Sequence, residues 1–536
     1  MTPRRVLVVG NGMAGARLAE DLRHRDPRGA EVHVTVIGEE AHPAYNRILL
    51  SNVVAGSVTP RETRLKPDGW WDASGVEVQA GQRVVSVDLA DRRARVCRVG
   101  PDGSPLTQTT QVLEWDELVL ATGSTSFIPP VPGLVPDPQA PTRLAEGAIA
   151  FRTVDDCTRI VAAAKSAAHA VVLGGGLLGI EAARGLLLRG LDVTVVHPAA
   201  HPMDRQLDGD GGAVFARVLR QTGSTVVLGR RVTAFRSGST GSARSVVLDD
   251  GTDLPCDLLV VTTGIAPRVD LARAMGAHVG RAVVVDDQMR TSLDHVWAVG
   301  ECVEHRGVVH GLVQPGWEQA SVLADVLTRT DPQARYEGTR TSTRLKAHDI
   351  DLASMGDITS GPHDLGHEVV SIVDPARGRY AKLVLRDDRI VGAIMLGGGD
   401  AVGAVTQLFD SAAVVPTDRV ALLLGRNAAG PTRHDNASLA RMPGSAVICR
   451  CNSVTKQTLV RAWTSGATTG ELMAESTRAT TGCGGCRSAV EGICGWLRAV
   501  DDDSRSGDAP QASSDGRPDA APLTAAPAAA LTEGAA

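Results

Sequence analysis

Two copies of one short pattern constrain this chain more than anything else in it. Val6-Leu7-Val8-Val9 runs into Gly10-Asn11-Gly12-Met13-Ala14-Gly15, and Ala170-Val171-Val172-Leu173 runs into Gly174-Gly175-Gly176-Leu177-Leu178-Gly179. Each is an apolar run of strand length meeting a G-x-G-x-x-G turn that opens a helix, predicted to reach about His24 in the first copy and Arg189 in the second. Glycine is needed three times over: Gly10 and Gly174 make the tight turn, Gly12 and Gly176 let backbone approach a pyrophosphate, Gly15 and Gly179 let helix and strand pack closely. The first helical N–H groups and the positive end of the helix dipole then face the phosphates. A further strand follows each helix, Glu31 to Ile37 and Val193 to Val196. Two complete units imply two dinucleotides.

The residues after those strands carry the next information. Glu39 stands where a carboxylate accepts hydrogen bonds from an adenosine ribose. The second unit has His197 at that place, where an acid would repel a 2′-phosphate and a base would attract it, so NADH against NADPH stays open. Glu181, just inside the second helix, is the candidate catalytic side chain facing a nicotinamide, or it stabilises the helix start. Arg47 either contacts the pyrophosphate or is a surface charge. Leu118 to Gly123 is a strand running into a small-residue turn and Cys256 to Gly264 mirrors it, so Thr122, Gly123 and Gly264 are candidates for close passage beside a nucleotide. Val296 to Glu301 is a strand that delivers Glu301 behind Gly300, and Glu301 suits a ribityl hydroxyl. Between these, Val76 to Val99 alternates as small antiparallel strands do.

Composition narrows the class. At 536 residues and a net charge of −6, the chain has room for two to four domains and no basic field to attract nucleic acid. No apolar run approaches bilayer length, so no membrane association is expected. Arg4 and Arg5 precede an apolar run of four residues that ends in the glycine pattern, which makes it fold and not a secretory address. Nine cysteines, five of them between Cys449 and Cys494, argue against a disulfide framework and for a reduced cytoplasmic protein with a metal site.

The order of these segments resembles the two-dinucleotide flavoprotein reductases, such as rubredoxin and ferredoxin reductases, over residues 4 to 325. The resemblance implies an α/β fold of two Rossmann-like domains binding FAD and NAD(P)H. Residues 1–145 and 265–330 would form one discontinuous FAD domain, with an NAD(P)H domain, 146–264, inserted. The family usually has Asp at the position of Glu301. Disulfide reductases on this fold carry a cysteine pair near Tyr45 to Ser51; this segment has none, which removes a dithiol relay beside the flavin. Residues 335–426 read as a small α+β cap, with a helix near 401–408.

Cys449-Arg450-Cys451 and Cys483-Gly484-Gly485-Cys486 form C-x-C, a gap of 31 residues, then C-x-x-C. Two close pairs can set four thiolates around one small centre, with glycines letting backbone N–H groups turn toward sulfur. Zinc is the rival occupant. The spacing resembles the bacterioferritin-associated-ferredoxin-like (BFD-like) [2Fe–2S] domain, expected over residues 445–500, and residues 501–536 read as a disordered tail. Cys494 is expected to pack and not to ligate.

The whole order resembles the N-terminal half of the assimilatory NAD(P)H nitrite reductase large subunit and the electron-transfer subunit of assimilatory nitrate reductase. That resemblance implies a relay from NAD(P)H through FAD and the cluster to a nitrate or nitrite reductase catalytic subunit, from a chain that can form homo-oligomers. Because the sequence passes into a polar tail and not a sirohaem half, a separate electron-transfer subunit is expected. A stand-alone ferredoxin or rubredoxin reductase with a fused cluster is the alternative enzyme. A redox-sensing or iron-release protein is the alternative of another class.

Overall fold

The computed structural model describes residues 2–100, 103–140, 142–237, 243–345, 347, 350–426, 439–440, 442–444, 446–449, 452, 454–481 and 485–506. Two five-stranded parallel sheets organise it. In the first, Arg4–Val9 lies between Val32–Gly38 and Glu117–Leu120, with Val296–Ala298 and Val76–Ala80 at the edges. Val6, Leu7 and Val8 are buried on both faces, as an unbroken apolar run in a parallel sheet must be. The helix Met13–Arg25 returns across the sheet and packs beside Val313–Thr328.

The second sheet repeats the first. His169–Leu173 lies between Asp192–His197 and Leu258–Val261, with Thr225–Leu228 and Ala148–Ala150 outside them. Glu117–Leu120 and Leu258–Val261 hold equivalent places beside the two fingerprint strands, so the matching runs in sequence become matching edges of two sites. The chain leaves the first unit and re-enters it through adjacent strands, Ser124–Ser126 and Ile265–Pro267, which pair antiparallel.

One strand departs from expectation. Val76–Ala80 is the fifth strand of the first parallel sheet, paired with Val32–Gly38, and the antiparallel strands begin only at Gln82. An edge strand of a parallel sheet is half exposed, so its alternation imitates that of a hairpin.

Residues 342–396 form a five-stranded antiparallel sheet, and the helix Gly399–Ser411 covers one face with Val402, Val405 and Phe409. The other face joins the core of the second unit, where Tyr380, Leu352 and Ile394 meet Phe215 and Met203. Each such fully buried side chain stabilises the contact by roughly 1.5–3 kcal/mol. Three helices, Lys456–Thr464, Gly470–Thr477 and Arg487–Ser506, close around Leu459, Met473, Val490 and Ile493. The last helix carries residues 501–506, which the polar composition marks as tail; residues 507–536 lie outside the described residues.

Candidate cofactor and cluster sites

The six fingerprint glycines divide by what surrounds them. A Cβ on Gly10 would lie 2.1 Å from the Ala121 carbonyl oxygen, and on Gly174 2.5 Å from that of Thr262; both residues have positive φ, +126° and +118°. A Cβ on Gly15 or Gly179 would strike the carbonyl of Gly10 or Gly174 at 2.0 and 1.9 Å. Gly12 and Gly176 differ. Their φ values, −86° and −78°, suit any residue, and a Cβ on either would meet nothing within 4 Å. The protein itself does not need glycine there. A ligand pressed against the backbone does, so both turns fit a dinucleotide pyrophosphate.

Gly12 looks into a cavity of about 3420 Å³ that also takes in Gly10, Glu39, Arg47, Thr122, Gly123, Gly300, Glu301 and Glu181 in its wall. Strand ends of both sheets and the start of the second helix are thereby brought together. Gly174, Gly176, Gly264 and His197 are not part of that wall; Gly264 instead accepts the Phe127 N–H at 2.9 Å. Asn11, between the first two glycines, has both amide atoms buried with no hydrogen-bond partner among the described residues. A bound polar group would satisfy them.

The acids on the wall are held by arginines from distant parts of the chain. Arg83 and Arg268 donate to the two oxygens of Glu39. Burial pushes the Glu39 carboxyl up, but the two guanidiniums outweigh it and keep it below the usual carboxylate range. Glu39 is therefore an ionised carboxylate held by two guanidiniums, with lone pairs left for a further donor. Ser124 Oγ donates to Glu301 Oε2 at 2.7 Å, and Arg152 Nη2 donates to the same oxygen and, at 2.7 Å, to Ser124 Oγ. Arg47 is no surface charge. It pairs with Glu40, donates to the Arg152 carbonyl at 3.1 Å and lies over the Tyr45 ring. Burial acts to lower its pKa, but Glu40 and Tyr45 overcome this and raise it.

Glu181 is buried at 5 % exposure on the inner face of the second helix. His197 is also buried. Its Nδ1 accepts the Gly175 N–H at 3.1 Å, which leaves Nε2 to meet Asp204 at 3.1 Å. The ring braces the glycine turn from beneath.

Among the described residues, the scattered cysteines offer no thiol relay beside these groups. Burial pushes Cys256 up to about 12 and raises Cys157 and Cys302 as well, so all three stay protonated and inert.

Cys449 and Cys486 are buried at the near end of the three-helix domain, and both line the same cavity as Gly12 and Glu301. The Thr480 N–H donates to Cys486 Sγ at 3.2 Å, and Asn452 Nδ2 approaches Cys449 Sγ at 3.8 Å, contacts that stabilise thiolate sulfur. Cys451 and Cys483 lie outside the described residues, and no group of three or more metal-ligating side chains occurs among those described. Cys494 packs in the core of this domain beside Leu459 and Ile493.

Residues 4–323 match the family model described as pyridine nucleotide-disulphide oxidoreductase. The chain belongs to this family. The oxidoreductase continues with a match to the rubredoxin NAD+ reductase C-terminal domain over 342–410 and to the BFD-like [2Fe–2S] binding domain over 447–495. It accordingly takes FAD and NAD(P)H, and its cysteine domain is of the iron–sulfur and not the zinc kind. It is 33% identical over 495 residues to nitrite reductase [NAD(P)H] of Bacillus subtilis strain 168, covering 92% of this chain and 58% of that one. It is 34% identical over 500 residues to the assimilatory nitrate reductase electron transfer subunit of the same organism, covering 93% and 60%. The oxidoreductase thus spans about three fifths of each relative. Among solved structures it resembles the putidaredoxin reductase–putidaredoxin complex, with TM-score 0.66, 23% identity, 77% of this chain and 94% of that one. No helix among the described residues is long and apolar enough to cross a membrane.

Arg83, Arg152, Arg268, Ser124 and Asn11 escaped the sequence reading. The pairs Arg152–Glu301 and Arg268–Glu39 are 149 and 229 residues apart, and no local period marks such partners. Asn11 alone was open to view, as the polar residue between two glycines.

Proposed function

We propose that this chain is the NAD(P)H-oxidising electron-transfer component of an assimilatory nitrate or nitrite reductase system, handing electrons to a catalytic subunit. When bound, FAD would supply two-electron hydride chemistry toward NAD(P)H, and the cluster would supply one-electron chemistry toward a protein acceptor. The residues do the rest. Gly12 gives the flavin nucleotide's pyrophosphate its approach to the N-terminal end of the helix Met13–Arg25, while Asn11 offers its two free amide atoms. Clamped Glu39 accepts hydroxyls at the adenosine end, and Glu301, oriented by Ser124 and Arg152, accepts them from the ribityl chain. Thr122, Gly123 and Gly300 keep the backbone close, and Arg47 supplies positive charge on the wall. Gly176, with Gly174, Gly179 and Gly264, receives the nicotinamide nucleotide at the second unit, and Glu181 meets its reactive end. His197 shapes that turn through Gly175. Cys449, Cys451, Cys483 and Cys486 hold the cluster.

The observation that carries this reading is the single cavity with Gly12, Glu301, Glu181, Cys449 and Cys486 in one wall. Likeness to the two Bacillus subtilis reductase components supports the choice of acceptor. The test is reconstitution. The purified chain, mixed with a nitrate or nitrite reductase catalytic subunit, should support NAD(P)H-dependent reduction of the anion. Turnover with a ferredoxin or rubredoxin but with neither subunit would overturn the choice of acceptor.

A further inference from the structure

Two arginines tie the cysteine domain to the rest of the molecule: Arg344 lines the cavity, and Arg478 stands outside its wall. Arg478 closes the helix Gly470–Thr477 at φ +63°, a left-handed position where glycine is usual and a long side chain needs a reason. Its backbone is bound into the sulfur surroundings: its carbonyl accepts Asn452 Nδ2 at 2.6 Å and Thr481 Oγ1 at 2.8 Å, and the same Asn452 amide approaches Cys449 Sγ. Its side chain points the other way. The guanidinium donates to the carbonyl of Leu65 in the first dinucleotide unit.

Leu65 belongs to a small core with Met13, Ala16 and Trp317, against the helix that opens at Gly12. Trp317 Nε1 donates to the Met13 carbonyl at 3.2 Å, and Lys66 pairs with Glu20 on that same helix. Burial lowers the Arg478 pKa, while Glu20 on one side and Cys449 on the other favour its charge. From the other flank, Arg344 Nη1 donates to the Gly485 carbonyl at 3.4 Å and its Nη2 to Asp351 at 3.1 Å. A Cβ on Gly485 would stand 2.8 Å from Arg344 Nη1, so the glycine before Cys486 gives that guanidinium its seat.

We propose that Arg478 and Arg344 form a clasp that holds the cysteine domain in fixed register, Arg478 against the first dinucleotide unit and Arg344 against the antiparallel cap sheet, with Arg478 as the positioning residue between cluster and flavin helix. The proposal rests on the relay reading above for its consequence, but not for its geometry.

Arg478→Gly suits the left-handed backbone and removes only the side chain; Arg344→Gln tests the other flank. Hydrogen exchange at amides 44–66 reads docking directly, without turnover. In Arg478→Gly those amides should exchange about tenfold faster, and NADH-driven cluster reduction should slow about tenfold, the size of one lost charge-assisted hydrogen bond. Flavin content, iron content, the cluster's electron paramagnetic resonance spectrum and its direct reduction by dithionite should not change. Wild-type exchange and wild-type cluster reduction in both variants would overturn the clasp. If the wild-type chain bleaches its flavin with NADH but never reduces its cluster, the relay reading fails, and the exchange comparison alone decides the clasp.

Discussion

The two glycine fingerprints build nearly the same local geometry and then open onto different surroundings. In both, the first and third glycines are forced by carbonyls of the fold and the second faces empty space. The first opens into a deep cavity whose acids are clamped by Arg83, Arg268 and Arg152. The glycines of the second lie outside that wall, although Leu177, Leu178 and Glu181 beside them line it, and the last residue of its strand, His197, is spent on bracing its own turn. The local pattern thus specifies that a dinucleotide can sit down, while the walls decide whether it stays. A group retained through many turnovers suits the first, and one that exchanges every cycle suits the second.

Substitution at the second glycine of each unit should break this comparison with the largest effect. Gly12→Val should yield protein with almost no flavin after gel filtration, since the side chain fills the approach to the pyrophosphate. Gly176→Val should keep its flavin but lose anaerobic bleaching by NADH. Equal flavin content in the two variants would show the units to be interchangeable.

Next in size is the wall. Arg152→Ala leaves Glu301 without its guanidinium in a partly buried site, and flavin affinity should fall about tenfold or more, the range of a hydrogen bond to a charged group. Fluorescence titration of the apoprotein with FAD measures it. A smaller effect is expected at His197. His197→Ala loosens the second turn by one hydrogen bond, so KM for NADH should rise about threefold to tenfold with flavin content untouched. Because the ring faces Gly175 and Asp204, the NADH/NADPH ratio should hardly move; a large change would put His197 in contact with the ribose.

The last effect concerns the seam between the second unit and the cap, and is read as stability in place of cofactor binding. Asp208 caps the helix Gly209–Gln221 and accepts from Tyr380 Oη at 2.6 Å and Lys382 Nζ at 2.8 Å. Burial acts to raise its pKa, but Lys382, Tyr380 and the Gly211 N–H together lower it. A depressed carboxylate adds stability that is complete above the ordinary Asp range and is lost as pH falls through its lower native value. Asp208→Asn should therefore cost about 1–3 kcal/mol at neutral pH, and the melting curves of variant and wild type should converge in acid.

Much of this architecture was legible because it is local. Val6–Val9 and Ala170–Leu173 announce buried strands by composition, and the turns after them name their glycines by spacing. The cysteine spacing announced a metal domain in the same way. What could not be read was long-range: Arg268 meets Glu39 only because the chain returns to the first sheet after the inserted unit, and Arg152 reaches Glu301 across the same junction. Val76–Ala80 was misassigned to an antiparallel set because half-exposed edge strands alternate whatever their direction. His197 left NADH against NADPH open because its position along the strand says nothing of the Asp204 that draws it down. Arg478 gave no signal at all, since a left-handed helix cap is ordinarily marked by glycine.

The central claim is that electrons taken from NAD(P)H at the two dinucleotide units leave through Cys449, Cys451, Cys483 and Cys486. Anaerobic titration of the purified chain with NADH, followed by visible absorption and electron paramagnetic resonance, tests it most directly. In the wild-type protein, which should contain iron and not zinc, both the flavin band and the cluster signal should respond. In Cys486→Ser the flavin should still bleach, and dye reduction should persist, while the cluster signal and delivery to a protein acceptor vanish. A serine variant that feeds the acceptor at the wild-type rate, or a chain that carries stoichiometric zinc in place of iron, would contradict it.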